Sequence, residues 1–458
     1  MNIEKTLATH ASTVVFEQVG DAGIAAAKRA TLDTIGCMIA ASHAPGIDIL
    51  VELAAMWGGK SEASVIGRGF AAPAPVAAWI NGSMARALEI DDCTDFLPLH
   101  PSAALVPALL AIAEARPPLS GREFLVALAM GQDLILRLGT ATRLDGIQSG
   151  RYNLFKIFGI VAATSHALRL DPARTRHAMG IAYSLACGEG QSAVDGALAF
   201  RTHEGNAGQA AITATLLAER GFTGAENFLT GRMGFFTSFE PDARLDALTD
   251  DLGRRFRGDE ISFKPYSACR CTHTAIDLML NYRRTIGAST DRLKSIHLTV
   301  APSVHKLVGA PFEVGTATNR QAAAQFSLPY TVAAALVCGD VFLNQFTAAT
   351  LDNPEILALA RRVTVVPDDC MCDEHYVIGR IRIDLEFDAR PSVRLEGLDP
   401  LGNPSNPVSP EQAREKFRKC AAAAPHPISD ETVESLIHGA STLEALSDVS
   451  ELVRNLRG

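Results

Sequence analysis

Residues 88–102, LEIDDCTDFLPLHPS, place Glu89, Asp91, Asp92 and Asp95 within seven positions, and His100 follows just before Pro101. The stretches on either side, 76–87 and 103–115, are apolar at helical spacing and read as buried. Carboxylates crowded between two core helices repel one another and resist burial, so the cluster reads as a site rather than a solvated loop. An imidazole beside carboxylates suits proton transfer, because the carboxylate selects one tautomer and raises the histidine pKa. A second loaded stretch is 263–277, FKPYSACRCTHTAID, where Lys264, Tyr266, Cys269, Arg270, Cys271 and His273 fall within ten residues. It runs into an apolar helical pattern, and a loop entering a helix offers free N–H groups and a positive dipole end to a carboxylate. In a third stretch, 200–207, FRTHEGNA, Arg201 and His203 precede a glycine-started helix, and Arg201 suits an anion.

A metal reading has to be weighed for Cys269-x-Cys271-x-His273 together with Cys370-x-Cys372-x-x-His375. Structural zinc sites prefer two to four residues between cysteines, so these read as free thiols and no metal is expected. The sequence has no G-x-G-x-x-G after a strand, no Walker loop and no G-x-S-x-G, which removes dinucleotide, phosphoryl-transfer and serine-hydrolase chemistry.

The elements that must position these residues change in character along the chain. Residues 1–262 read mainly as helices: 19–41 carries apolar residues at helical spacing, Ser120 to Glu123 forms a capping box, and Asp171-Pro172 opens another helix. Thr223 to Glu226 reads as a further capping box after the Gly221 stop. Beyond about 262, residues 296–300, 363–366 and 377–387 read as strands, the last with Ile381, Ile383 and Leu385 on one face and Arg380, Arg382 and Asp384 on the other. Helices are expected over 322–343 and 353–360 between them. A Pro/Asn/Gly-rich stretch over 399–410 ends this part, and 411–457 returns to helix and is expected to pack on the first half. The expected architecture is mainly α: a large helical domain from 1–262 and 400–458, with a smaller α+β domain over 263–399.

The 458 residues are 47% apolar and 20% charged, ordinary for a globular protein, with few aromatics (6%) and a net charge of −9. There is no Lys/Arg run, which argues against a nucleic-acid partner, and no apolar run long enough for a membrane span. The start, MNIEKTLATHAS, lacks the pattern of a signal peptide, and the nine cysteines lack framework spacing, so reduced thiols and a cytoplasmic location are expected.

Four motifs occur in series: the acidic stretch ending in His100-Pro101-Ser102, Thr202-His-Glu-Gly-Asn-Ala207, Lys264-Pro-Tyr-Ser-Ala-Cys269-Arg-Cys-Thr-His273, and Phe326-Ser-Leu-Pro-Tyr330. Together they resemble the MmgE/PrpD family, whose members include 2-methylcitrate dehydratase, cis-aconitate decarboxylase and iminodisuccinate epimerase. The resemblance implies a helical body made from both chain ends with an inserted α+β lid, a homodimer, and chemistry without a cofactor on a small di- or tricarboxylate. The shared step is removal of a proton next to a carboxylate, followed by loss of water, loss of CO₂ or reprotonation on the other face. It implies His100 as base or acid held by Asp91 or Asp92, with Lys264 and Arg201 clamping substrate carboxylates. Glu89, His203, Cys269, Arg270 and His273 would line the substrate, and Tyr152 and Tyr330 would serve the second proton transfer. Two positions depart from the family pattern. Gly150-Arg-Tyr-Asn-Leu stands where G-W-H-P-T is usual, so Tyr152 replaces a histidine, and Phe200 replaces the lysine of K-P-x-H. The expected function is a lyase of the 2-methylcitrate dehydratase type; the alternatives are a two-base epimerase and a non-catalytic carboxylate-binding homologue.

Overall fold

A computed structural model describes residues 2–116, 118–142, 151, 154–287, 292–313, 319–374 and 376–456. The chain is mainly α. Among helices longer than two turns, α1 (Ile3–Thr13), α2 (Phe16–Ala40), α3 (Ile47–Trp57), α4 (Ala74–Arg86) and α5 (Ser102–Ala115) come first, with a short antiparallel hairpin of β1 (Ala63–Val65) and β2 (Phe70–Ala72) before α4. α6 (Gly121–Ala141) opens on the expected capping box: Ser120 and Glu123 bond reciprocally. It is apolar and long enough to cross a membrane by composition, yet 94% of its most apolar window is buried inside the protein. α7 (Lys156–Ala167), α8 (Pro172–Leu185) and α9 (His203–Glu219) complete the first half, and Asp171 caps α8 through Ala173 and Arg174 N–H, each at 2.9 Å.

The expected helix after Thr223 does not form. Gly224 is pressed against the α8 backbone, where an added Cβ would lie 2.4 Å from the His177 carbonyl, and Glu226 is drawn to Arg176 at 3.1 Å. Tertiary packing there overrides a local capping pattern.

Small residues set the crossing that matters for the site. An added Cβ on Gly82 of α4 would lie 2.8 Å from the Gly205 Cα of α9, and one on Gly205 would lie 2.0 Å from the Trp79 carbonyl. The two backbones touch, which only glycine permits. This contact brings the last turn of α4, with Arg86, beside the first turn of α9.

A second hydrophobic core is built from α10 (His273–Ile286), α11 (Leu328–Cys338) and a four-stranded sheet. The sheet order is β4 (Val363–Pro367), β3 (Leu293–Val300), β5 (Ile381–Phe387), β6 (Val393–Gly397). β3 pairs parallel with β4 and antiparallel with β5, and β5 pairs antiparallel with β6. Ile381, Ile383 and Leu385 are buried in alternation, as the sequence pattern demands. The strand starts at Ile381 rather than 377, because Gly379 (φ 61°) turns the chain. The helix expected over 322–343 breaks after Gln325: Ser327 caps a new helix by accepting from Tyr330 N–H. α12 (Pro410–Ala422) and α13 (Asp430–Ser441) return to the first core, where Phe417 and Cys420 pack against Gly36 of α2.

Candidate active site

The loop between α4 and α5 forms the seam between the two cores. Cys93 and Ser262 exchange backbone hydrogen bonds (3.1 and 2.7 Å), and Val377 N–H donates to the Asp95 carbonyl at 2.8 Å. The Leu88 carbonyl accepts from Ser267 Oγ at 2.8 Å and Gln325 Nε2 at 2.9 Å. Asp95 is the knot. Its carboxylate takes Arg270 on both oxygens (2.8 and 2.9 Å), along with Ser262 Oγ and Asn403 Nδ2, each at 2.8 Å. Arg270 also donates to the Leu401 carbonyl at 3.0 Å. Burial opposes charge on Asp95, but the Arg270 guanidinium and these donors hold its carboxyl below the usual range. This bidentate pair holds the loop in place.

Within that frame sits a dense buried cluster. His100 Nδ1 lies 2.8 Å from Asp91 Oδ2 and 3.0 Å from the Asp92 carbonyl. Both neighbours are acceptors, so Nδ1 carries the proton and Nε2 keeps the lone pair. Glu89 bridges two cations: one carboxylate oxygen pairs with Arg86 and the other with Lys264 Nζ at 3.0 Å. Arg86 also reaches Asp91 Oδ1 at 3.5 Å. Burial works against both carboxylates, yet the surrounding cations, with His100 for Asp91, keep Glu89 and Asp91 below the usual range. Lys264 is 1% exposed; burial alone would lower its pKa, but Glu89 and Asp91 raise it.

The expected rise in the His100 pKa is reversed. Burial, then the Arg86 charge, lowers it, and Asp91 only partly compensates. His100 is therefore neutral near pH 7 and equipped to accept a proton at Nε2.

Asp92 faces the other way. Its Oδ1 accepts from Ser102 N–H at 3.2 Å at the start of α5. Burial, with repulsion from Asp33 and Asp91, pushes its carboxyl up to about 7 against the Ser102 hydrogen bonds. A small cavity behind it is lined by Arg29, Asp33, Asp92, Gln132 and Gly258. Asp33 pairs with Lys416 at 2.6 Å. Two adjacent aspartates thus have opposite titration, one locked ionised by cations and one buried against other acids.

On the α9 side, Arg201 is buried, with Nη1 donating to the Pro45 carbonyl at 2.9 Å. Its Nη2 is buried without a hydrogen-bond partner among the described residues. His203 Nε2 lies 3.5 Å from Glu189 Oε1, and its ring meets Phe200 edge-on at 5.4 Å. The Arg86 guanidinium stands over the Phe200 ring at 4.8 Å, so the phenyl at the family's lysine position backs a cation. A buried pair, Lys156 with Glu204 at 2.5 Å, lies next to it along α9.

The structure thus brings together Glu89, Asp91, His100, Lys264 and, across the α4–α9 contact, Arg201 and His203. Cys269 is buried near them; its thiol is lowered by the adjoining Cys271 thiol, with burial opposing. Three residues expected at the substrate are corrected. Arg270 is consumed by Asp95 and Leu401. His273 has both ring nitrogens engaged, Nδ1 with Arg270 at 3.3 Å and Nε2 donating to the Ala268 carbonyl at 3.1 Å, and burial drives its pKa far down. Tyr330 lies in the second core, between Phe312 and Phe346, with its hydroxyl donating to the Gln345 carbonyl at 2.6 Å. Tyr152 and His375 lie outside the described residues. Among the described residues, no three His, Cys, Asp or Glu side chains stand together as metal ligands.

Arg86 was missed. Its signal was present: a lone cation in the last turn of an apolar helix, three residues before Glu89. Lys416, whose partner Asp33 lies almost 400 positions earlier, carried no local signal.

The family model described as the MmgE/PrpD N-terminal domain matches residues 5–247, and the one described as the C-terminal domain matches residues 266–439. Curated relatives align along nearly their whole length. A cis-aconitate decarboxylase-like protein of Aspergillus oryzae is 28% identical over 94% of this chain and 92% of its own. The cis-aconitate decarboxylase of Aspergillus terreus is 25% identical over 97% and 94%. That of Homo sapiens is 28% identical over 100% and 95%. Two family models that together span most of the residues place the relationship beyond local motifs: this chain belongs to the MmgE/PrpD family.

Proposed function

We propose that the protein is a cofactor-independent lyase acting on a small di- or tricarboxylate, with proton transfer at a carbon next to a carboxylate as its central step. The observation that carries this is a neutral imidazole, His100, held through Nδ1 and placed among buried Arg86, Lys264 and Arg201. Arg86 and Lys264 pair with two carboxylates, Glu89 and Asp91, and Arg201 lies within the influence of the Glu89 charge, so the three cations against two carboxylates leave one positive charge for an anion. His100 Nε2 takes or returns the proton; Asp91 stabilises the imidazolium that forms; the cations stabilise the enediolate that develops on the substrate.

The names of the relatives favour loss of CO₂ as the bond-breaking event. A second reading, elimination of water as in 2-methylcitrate dehydratase, is supported by Asp92. Its carboxyl, turned toward the start of α5 and away from the histidine, titrates near 7 and so carries a proton near neutral pH that a leaving hydroxyl would need. An epimerase needs only the proton step. In the same proposal, 263–399 forms a lid on a body built from 1–262 and 400–458, and the protein works as a homodimer in the cytoplasm.

Purified protein incubated in D₂O with a panel including cis-aconitate and 2-methylcitrate separates these outcomes by product mass: CO₂ loss, water loss, or deuterium uptake alone. No turnover and no deuterium uptake in any member refutes the proposal. His100→Ala is expected to lower turnover ~100-fold or more with the fold retained; near-normal turnover removes His100 from the chemistry.

A further inference from the structure

Glu89 has a backbone that its side chain must justify. It is a non-glycine residue at φ 56°, in the left-handed region, at the point where the chain leaves α4. That conformation is disfavoured for a residue with a Cβ and persists where the surroundings over-determine it. Here it turns the carboxylate back so that it spans Arg86, three residues earlier, and Lys264 from the other core. The carboxylate fills the place between two buried cations that an incoming substrate carboxylate would seek. Two carboxylates cannot share that place, because their repulsion is barely screened in a buried site.

A second seat stands ready. Arg201 is 7% exposed, its Nη2 has no partner among the described residues, and Glu89 is the carboxylate whose charge acts on it most strongly. An unsatisfied buried guanidinium N–H is costly and is not expected to persist unless it is used in another state.

Building on the lyase reading, we infer that Glu89 is an internal carboxylate occupying the Arg86–Lys264 subsite of the free protein, and that a substrate carboxylate displaces it onto Arg201. Exchange conserves the charge balance at the first seat, where Arg86 and Lys264 trade one carboxylate for another, and at the second seat Arg201 gains a carboxylate for its unsatisfied Nη2. The displacement sets a threshold that favours polycarboxylates, since a ligand anchored at one carboxylate only must displace Glu89 with no further contact to offset it.

Isothermal titration with tricarballylate, a tricarboxylate lacking a leaving group, tests the exchange on the wild type, Glu89→Gln, Arg201→Gln and the double variant. Glu89→Gln is expected to tighten binding at least tenfold, because nothing charged then holds the subsite. Arg201→Gln is expected to weaken binding at least tenfold in the wild-type background and to have little effect beside Gln at position 89. Unchanged or weaker binding by Glu89→Gln, or an Arg201→Gln loss that persists in the double variant, overturns the inference. A crystal structure of the wild-type complex gives the same answer without a variant: the ligand carboxylate between Arg86 and Lys264, with Glu89 on Arg201. A bound ligand with Glu89 still bridging Arg86 and Lys264 overturns the exchange and leaves the lyase reading standing. If no member of a di- and tricarboxylate panel binds either the wild type or Glu89→Gln, both fall.

Discussion

Asp92→Asn is expected to make the protein relatively more stable as the pH rises. The carboxyl is buried, accepts from Ser102 N–H, and titrates near 7 in the folded protein against an ordinary value of 3.8. Its folded pKa is raised, so the folded state binds the proton more tightly. The stabilisation from that proton is complete below about pH 4 and is lost as the pH climbs through 7. A gap of about 3 units at about 1.4 kcal/mol each puts the whole effect near 4 kcal/mol. Between pH 5 and pH 8 about 3 kcal/mol of it is in play. An unfolding entropy of about 1 kcal/mol/K for 458 residues converts this to a shift of about 3 °C. Asparagine keeps the acceptor for Ser102 and cannot ionise. Melting temperatures of both proteins at pH 5 and pH 8 are the assay, and the variant should gain about 3 °C on the wild type between the two. A Tm difference that is the same at both pH values would show that Asp92 is not a proton-holding acid. A difference that moves the opposite way would mean that it is ionised and paired.

Arg270→Ala leaves Asp95 buried without its bidentate partner and is expected to cost about 3–5 kcal/mol in denaturant unfolding; a loss under about 1 kcal/mol would return Arg270 to the candidates for substrate binding. Tyr330→Phe deprives the Gln345 carbonyl of its donor, at about 1–3 kcal/mol of stability, with turnover essentially unchanged; a turnover loss of ~100-fold with stability retained would reinstate Tyr330 as a proton donor.

Much of the site was legible because its signals are local. Four acids and a histidine between two apolar helices cannot be an ordinary core, and Lys264 stands in a short run of chemistry-bearing residues. The capping box at Ser120 and the N-cap at Asp171 read correctly for the same reason, since their bonds lie within four residues, whereas packing of Gly224 on α8 overrode the equally local pattern at Thr223. The roles inside each run were not legible. Lys264, Arg270 and His273 look equivalent on paper. They diverge because Glu89 meets the first, while Asp95 and the Leu401 carbonyl absorb the second, which in turn holds one nitrogen of the third.

Residue types, periodicity and end-signals determined that the chain is mainly helical, that strands gather in its later part, and that acids and cations lie on loops between buried elements. Which cation meets which acid, whether a given imidazole is neutral, and why Asp91 and Asp92 titrate in opposite directions were decided by the fold. Charge–charge energy depends on separations of a few ångströms and on exclusion of water. Those separations come from contacts such as Gly82 on Gly205 and Cys93 on Ser262, which join segments well over a hundred positions apart.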